Sequence, residues 1–418
     1  MAKKKKKPTP SASPPPAVAQ PVFSQPTVSA DPTGFKVPHP NDNPLYNRVN
    51  ATLLEPVPAP RGPGAPILTL AAALGATGPA REAAITKAGQ IVFHVGGDTG
   101  SVAGPATQSL VADKMVADYA DADPAAVPSF FFHLGDVVYS FGEGKYYYDQ
   151  FYEPYREYPA PIFAIPGNHD GVVYSGDPEA TLDAFLRNFC SATPVVTQEA
   201  AGLARTAMVQ PGVYFTLQAP LVRIIGLYSN VLEDPGVISS QGDPQSPLDD
   251  RQLTFLTAEL ARAKTDKFAG AVLVAVHHPP FTYGVTHSGS PLMLADLDQA
   301  PKAAGFWPHA VLSGHSHNYQ RFTRAVGGHQ VPYIICGNAG HGLGLIQEIN
   351  GAPIRTPSTI NATLTFESYD DRDYGYLRVV VDATTVRFEY HPAADGSAAK
   401  TPDDVVTVSL ATRRLVPS

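Results

Sequence analysis

The chain has 418 residues, 44% of them hydrophobic, enough for one large or two medium cores and too much for a peptide or a stapled miniprotein. Its formal net charge is -8 at pH 7 and five of its positive charges are the run Lys3–Lys7, so the remainder carries -13, which disfavours generic nucleic-acid binding. The longest apolar run, Phe268–Val276, is far short of the roughly 20 residues of a membrane helix, and Cys190 and Cys336 lie outside any CxxC or Cys/His cluster, which removes a disulfide framework and thiolate chemistry.

Residues 1–66 hold sixteen of the 42 prolines and no helical or strand periodicity, so residues 1–60 are expected to form a disordered, Pro- and Lys-rich tail. Pro8, Pro10 and Pro14 to Pro16 stand where a secretory signal would place its apolar segment, so the chain reads as cytoplasmic. Residues 61–85 read as a lead-in and 86–412 as a single α/β domain, in which short β-branched or aromatic runs alternate with amphipathic stretches. In chain order the expected strands are Gln90–Val95, Ser129–Leu134, Pro161–Ile165, Leu221–Tyr228, Ala271–Val276, His309–Leu312 and Val331–Cys336. The expected helices are Ala106–Tyr119, Tyr146–Glu157, Pro178–Asn188, Asp249–Lys264 and Leu292–Ala303, and Tyr376–Asp382 with Thr385–Tyr390 reads as a hairpin.

Unusual polar clusters follow five of these strands directly. They are Gly97-Asp98-Thr99-Gly100, Gly135-Asp136 with Tyr139, Gly167-Asn168-His169-Asp170, His277-His278, and Gly314-His315-Ser316-His317. In open α/β sheets the carboxyl ends of strands converge on a crevice, so these loops should meet. Two carboxylates, an amide oxygen, a phenol and several imidazoles make a set of oxygen and nitrogen donors suited to iron, zinc or manganese. The set exceeds the needs of one ion. Two ions sharing a carboxylate would use it, and such pairs clamp the attacking and leaving oxygens of an in-line displacement.

The series of motifs, spanning Asp98 to His317, resembles the calcineurin-like metallophosphoesterase superfamily. Asp98-Thr99-Gly100, which lacks the usual terminal His, combined with Tyr139 and the string Gly314-His315-Ser316-His317-Asn318-Tyr319-Gln320-Arg321, is similar to purple acid phosphatases. That resemblance implies a four-layer α/β/β/α sandwich over 86–412, with a dinuclear site at the carboxyl ends of the strands. It implies Fe(3+) held by Asp98, Asp136, Tyr139 and His317, and Fe(2+), Zn(2+) or Mn(2+) held by Asp136, Asn168, His277 and His315. It further implies an acid phosphatase-like phosphoric monoester hydrolase acting through metal-bound hydroxide, with an acidic optimum. His169 would face the phosphate and His287, ten residues after His277, would protonate the leaving group. His278 is expected to line the pocket and Asp170 to orient His169 or its loop. A phosphodiesterase or nucleotide hydrolase of the same superfamily is the alternative, and a non-catalytic metal-binding scaffold a third reading. The expected partner is a small phosphate ester, with no nucleic acid, no membrane span and no protein partner inferable.

Overall fold

The computed structural model describes residues 57–121, 123–172, 179–232, 236–394 and 401–417. The tail expected over 1–60 lies outside these residues apart from 57–60, as does Pro178, the start of one expected helix.

Strands numbered along the chain form two large sheets. The nine-stranded sheet runs, in spatial order, β1 (Ile67–Thr69), β5 (Phe215–Ala219), β6 (Val222–Leu227), β7 (Ala271–Val276), β8 (Ala310–Ser313), β10 (His329–Cys336), β9 (Tyr319–Val326), β14 (Leu364–Asp370) and β13 (Ser358–Asn361). The six-stranded sheet runs β17 (Asp404–Ser409), β16 (Thr385–Pro392), β15 (Gly375–Asp382), β2 (Gln90–Gly96), β3 (Phe131–His133) and β4 (Ile162–Ala164). A separate two-stranded ribbon joins β11 (Glu348–Ile349) to β12 (Ala352–Pro353). Besides the parallel pair β1-β5, two longer blocks are parallel, β6-β7-β8-β10 in one sheet and β2-β3-β4 in the other. Each block delivers the carboxyl ends of its strands to one edge, where polar loops can gather.

The layering follows from the two-residue period of the strands. In β7, Ala271, Leu273 and Ala275 pack between the sheets with Phe93, Phe132 and Leu377, while Val272, Val274 and Val276 belong to the outer core with Leu256, Leu260, Met293 and Leu297. A strand buried on both faces is apolar throughout, which is why Ala271–Val276 was legible as a continuous run. The helices Arg251–Thr265 and Pro291–Ala304 cover the nine-stranded sheet, and Ala106–Val116 packs beside β15. The result is the expected four-layer α/β/β/α sandwich. Ser290 caps the helix Pro291–Ala304 by accepting the Met293 N–H at 3.1 Å, and Gly305 (φ 64°) ends it. Among the described residues no helix is long and apolar enough to cross a membrane.

One segment departs from expectation. The helix expected over Tyr146–Glu157 is a tight turn at Gly144–Tyr146 followed by a single widened turn at Tyr148–Tyr152. Its rings explain this: Tyr147, Phe151, Tyr152, Tyr155 and Tyr158 are all buried, and the fit of Phe151 against Phe189, 5.1 Å between centroids, takes precedence over regular helix hydrogen bonding. The rings of this segment belong to the core. Strands β5, β9, β14 and β17 were not among the expected elements, and β9 begins inside the His-x-His string.

Candidate metal centre

In the six-stranded sheet β2, β3 and β4 carry Asp98, Asp136 and Asn168 just past their ends, while β7 and β8 of the nine-stranded sheet carry His277 and His315. The centre therefore sits where two sheets abut. Main-chain hydrogen bonds lock the loops together: Asp98 N–H to Gly135 O (2.9 Å), Thr99 N–H to Asp136 O (3.2 Å), Gly314 N–H to His277 O (3.0 Å) and Gly97 N–H to Cys336 O (2.9 Å). Asp98, Asp136 and His315 adopt positive φ of 55°, 55° and 68°, a conformation unfavourable for residues with a Cβ. Three such residues in one cluster mark a place where surrounding contacts hold side-chain direction against local preference. Gly135 (φ 104°) is required by close approach, because a Cβ there would stand 2.6 Å from Gly167 N and 2.7 Å from His277 Nδ1.

Two donor groups emerge, sharing Asp136. One comprises Asp98, Asp136 and His317, the other Asp136, His277 and His315, the ligand atoms of each lying within 4.8 Å of one another. Tyr139 joins the first: its hydroxyl donates to Asp136 Oδ2 at 2.9 Å and is 3.3 Å from both Asp98 Oδ1 and His317 Nε2. Asn168 joins the second, its Oδ1 lying 3.1 Å from His277 Nε2, which is itself 3.2 Å from Asp136 Oδ2. His277 Nδ1–H donates to Leu134 O at 2.9 Å, which turns Nε2 toward the carboxylates.

Electrostatics bear the signature of crowded donors. Burial pushes the Asp98 carboxyl well above its usual range, and the Asp136 charge adds to that against the pull of His277. Burial acts on Asp136 in the same direction, but His277 and His169 beside it hold it well below its usual range. Burial opposes charge on His277, yet Asp136 and Asp98 push it up to about 10. Burial and neighbouring imidazoles hold His315 and His317 well below their usual values. Two acids, a phenol, an amide oxygen and three imidazoles, all converging, fit a pair of cations bridged by Asp136.

The other expected residues are also here. His169 donates its main-chain N–H to Asp136 Oδ1 and its Nδ1–H to Ser140 O, both at 2.9 Å. The His287 ring is 4.4 Å from that of His315 and 5.0 Å from that of His317. His278 packs 4.2 Å from His315 and is anchored by Ser229 Oγ at 2.7 Å and Leu232 O at 2.8 Å. Asp170 holds the loop, not the His169 ring: it accepts N–H groups of Val137 (3.0 Å), Val138 (3.3 Å) and Gly167 (2.9 Å), clamping the loops that carry Asp136 and Asn168. Burial, with Asp136 nearby, pushes its carboxyl up to about 7.

Sequence reasoning missed His341 and Gln150. His341 stacks on Tyr139 at 3.8 Å and 17°, donates its N–H to Asp98 O and its Nδ1–H to Gly100 O, both at 2.8 Å. Its signal was available: Gly337-Asn338-Ala339-Gly340-His341 follows β10 as the other polar loops follow their strands. Gln150 grips the Tyr139 main chain, accepting its N–H and donating to its carbonyl, both at 2.9 Å, and nothing in sequence marks it.

A buried cluster of donors shared through Asp136, set between two mixed sheets, is a candidate site for two metal ions. Residues 111–319, half of the chain, match the calcineurin-like phosphoesterase family, and the protein belongs to it. Residues 331–400 match the iron/zinc purple acid phosphatase-like protein C family. No curated protein matches the chain in sequence. Among solved structures it is similar to purple acid phosphatase PPD1 from yellow lupin seeds (17% identity, TM-score 0.52), covering 78% of this chain and 54% of the lupin one. It is also similar to GAP50, the anchor in the inner membrane complex of Plasmodium (16% identity, TM-score 0.51), covering 75% of this chain and 88% of that one. The chain thus spans about half the length of the lupin enzyme. A fold common to a phosphatase and an anchor does not decide activity.

Proposed function

We propose that the protein hydrolyses phosphate monoesters in the manner of purple acid phosphatases, with Asp98, Asp136, Tyr139 and His317 holding Fe(3+) and Asp136, Asn168, His277 and His315 holding Fe(2+), Zn(2+) or Mn(2+). The observation that carries this reading is the Tyr139 hydroxyl, within 3.3 Å of Asp98, Asp136 and His317 at once. A phenolate is a hard anionic donor that favours a trivalent ion. When bound, the ions would acidify water and neutralise the phosphoryl oxygens.

The chain's own residues supply the rest. With Nδ1–H committed to Ser140 O, His169 in its cationic form donates from Nε2 to a phosphoryl oxygen. His287, beside His315 and His317, is the acid for the leaving-group oxygen. The diesterase alternative normally carries a His at the position of Gly100, and a Cβ there would come 2.5 Å from Val137 O. The Gln150 side-chain oxygen, which would stand closer still to that Cβ, occupies the space instead.

The test is a visible spectrum of iron-loaded protein and of Tyr139→Phe, with monoester turnover across pH. A broad purple or pink band that disappears in the variant, with turnover strongest at acidic pH, is expected. No band in the oxidised wild type, with diesters turned over on manganese, refutes the assignment of Tyr139.

A further inference from the structure

The two most exposed large hydrophobic side chains among the described residues are Leu345, at 63%, and Val285, at 59%. They are far apart in sequence, yet Val285 N–H donates to Leu345 O at 2.9 Å, and a bridge pairs Gly284 with Ile346. Both border the centre. Val285 precedes His287 by two residues, and Leu345 follows Gly344, whose N–H donates to His317 O at 2.8 Å.

This apolar pair is held firmly. Gln347 N–H donates to Tyr283 O at 2.8 Å, the Gln347 amide to Gly284 O at 2.9 Å, and Ile346 N–H to an Asp371 carboxylate oxygen at 3.0 Å. Tyr283 in turn stacks on Phe322. A braced pair of exposed aliphatic side chains at the rim of a polar site is a recognition feature, because single exposed hydrophobics scatter and carry no such order.

The charges around it point the same way. Segments 97–101, 135–144, 166–172, 277–291, 314–318 and 337–347, which surround the centre, contain no Lys or Arg. These segments themselves offer no cationic side chain to a second phosphate or a carboxylate on the substrate; Lys145 and Arg187 stand just beyond Gly144, and Asp371 stands at the base of the rim.

We propose that Val285 and Leu345 form an apolar lip that selects phosphate esters with an uncharged, apolar alcohol portion and rejects those carrying a second phosphate. The inference rests on the reading of this centre as a phosphoester hydrolase and adds its substrate class.

The test compares kcat/KM for hexyl phosphate, glyceryl phosphate and hexanediol bisphosphate, and for the methyl diesters of the first two. All leaving groups are primary alkyl alcohols, so intrinsic reactivity is nearly matched. Hexyl phosphate should exceed glyceryl phosphate by about tenfold, the usual return on an apolar contact, and should also exceed the bisphosphate. Val285→Ser/Leu345→Ser should bring the hexyl-to-glyceryl ratio close to one, and Val285→Lys should raise the bisphosphate relative to hexyl phosphate. Circular dichroism checks that the variants fold, and the wild-type ratios test the lip independently of them. Equal turnover of hexyl and glyceryl monoesters, unaltered in the serine variant, overturns the lip and leaves the monoesterase reading standing. Diester turnover with a hexyl preference but no monoester turnover does the reverse. No turnover of either series overturns both.

Discussion

Asp170→Asn is a decisive test of how the centre is held. Asp170 Oδ1 accepts N–H groups of Val137 and Val138 at 3.0 and 3.3 Å, and Oδ2 accepts those of Gly167 and Val137 at 2.9 and 3.2 Å. Asparagine keeps the shape but turns one acceptor into a donor, so in either amide orientation an NH2 group confronts a buried N–H. Leaving a buried donor unsatisfied costs about 1–3 kcal/mol, so a loss in that range is expected above about pH 7, where Asp170 is ionised. The loops released are those of Asp136 and Asn168, so affinity for metal should fall about 10–100-fold, as for other residues that orient ligands. Metal titration of the apoprotein, together with thermal unfolding, reads both effects. A variant that binds metal like the wild type and melts at the same temperature would refute the clamp.

Two further outcomes are expected. His341→Leu removes the ring stacked on Tyr139 and the hydrogen bond to Gly100 O, so the tyrosinate band of the iron-loaded protein should shift in position without vanishing; an unchanged band would show that Tyr139 is positioned without His341. His309 is buried, and burial pushes it down to about 4 from a usual value near 6.5. Its neutral folded form is unfavourable to protons that the unfolded chain binds, so its contribution is complete above about pH 6.5 and is lost as pH falls to about 4. That shift corresponds to about 3 kcal/mol. Urea unfolding of the wild type and His309→Gln over this range should show a steeper loss in the wild type, and parallel curves would contradict the reasoning.

The donor residues were legible because their signal is local. An apolar β-branched run such as Ala271–Val276 ending in His277-His278 announces a buried strand and a polar loop without reference to the rest of the chain. His315 and His317 stood out for the same reason, and so did Asn168-His169. Edge and antiparallel strands such as β5 and β14 carry weaker patterns and passed unread. The segment Tyr146–Glu157 was misread because its backbone obeys the packing of its aromatic rings, a property of neighbours remote in sequence.

Sequence by itself thus determined the α/β class, the chemistry of the donors and their order along the chain. Only the tertiary structure decided that three loops of one sheet meet two of the other around Asp136, that Asp170 clamps loops instead of bonding the His169 ring, and that His341 lies against Tyr139. It also decided that Val285 and Leu345 stand side by side at the rim. The physical reason is the range of the forces involved: side-chain periodicity and turn chemistry act over a few residues, whereas ring stacking and shared hydrogen bonds link segments that only the closed sandwich brings within a few ångströms.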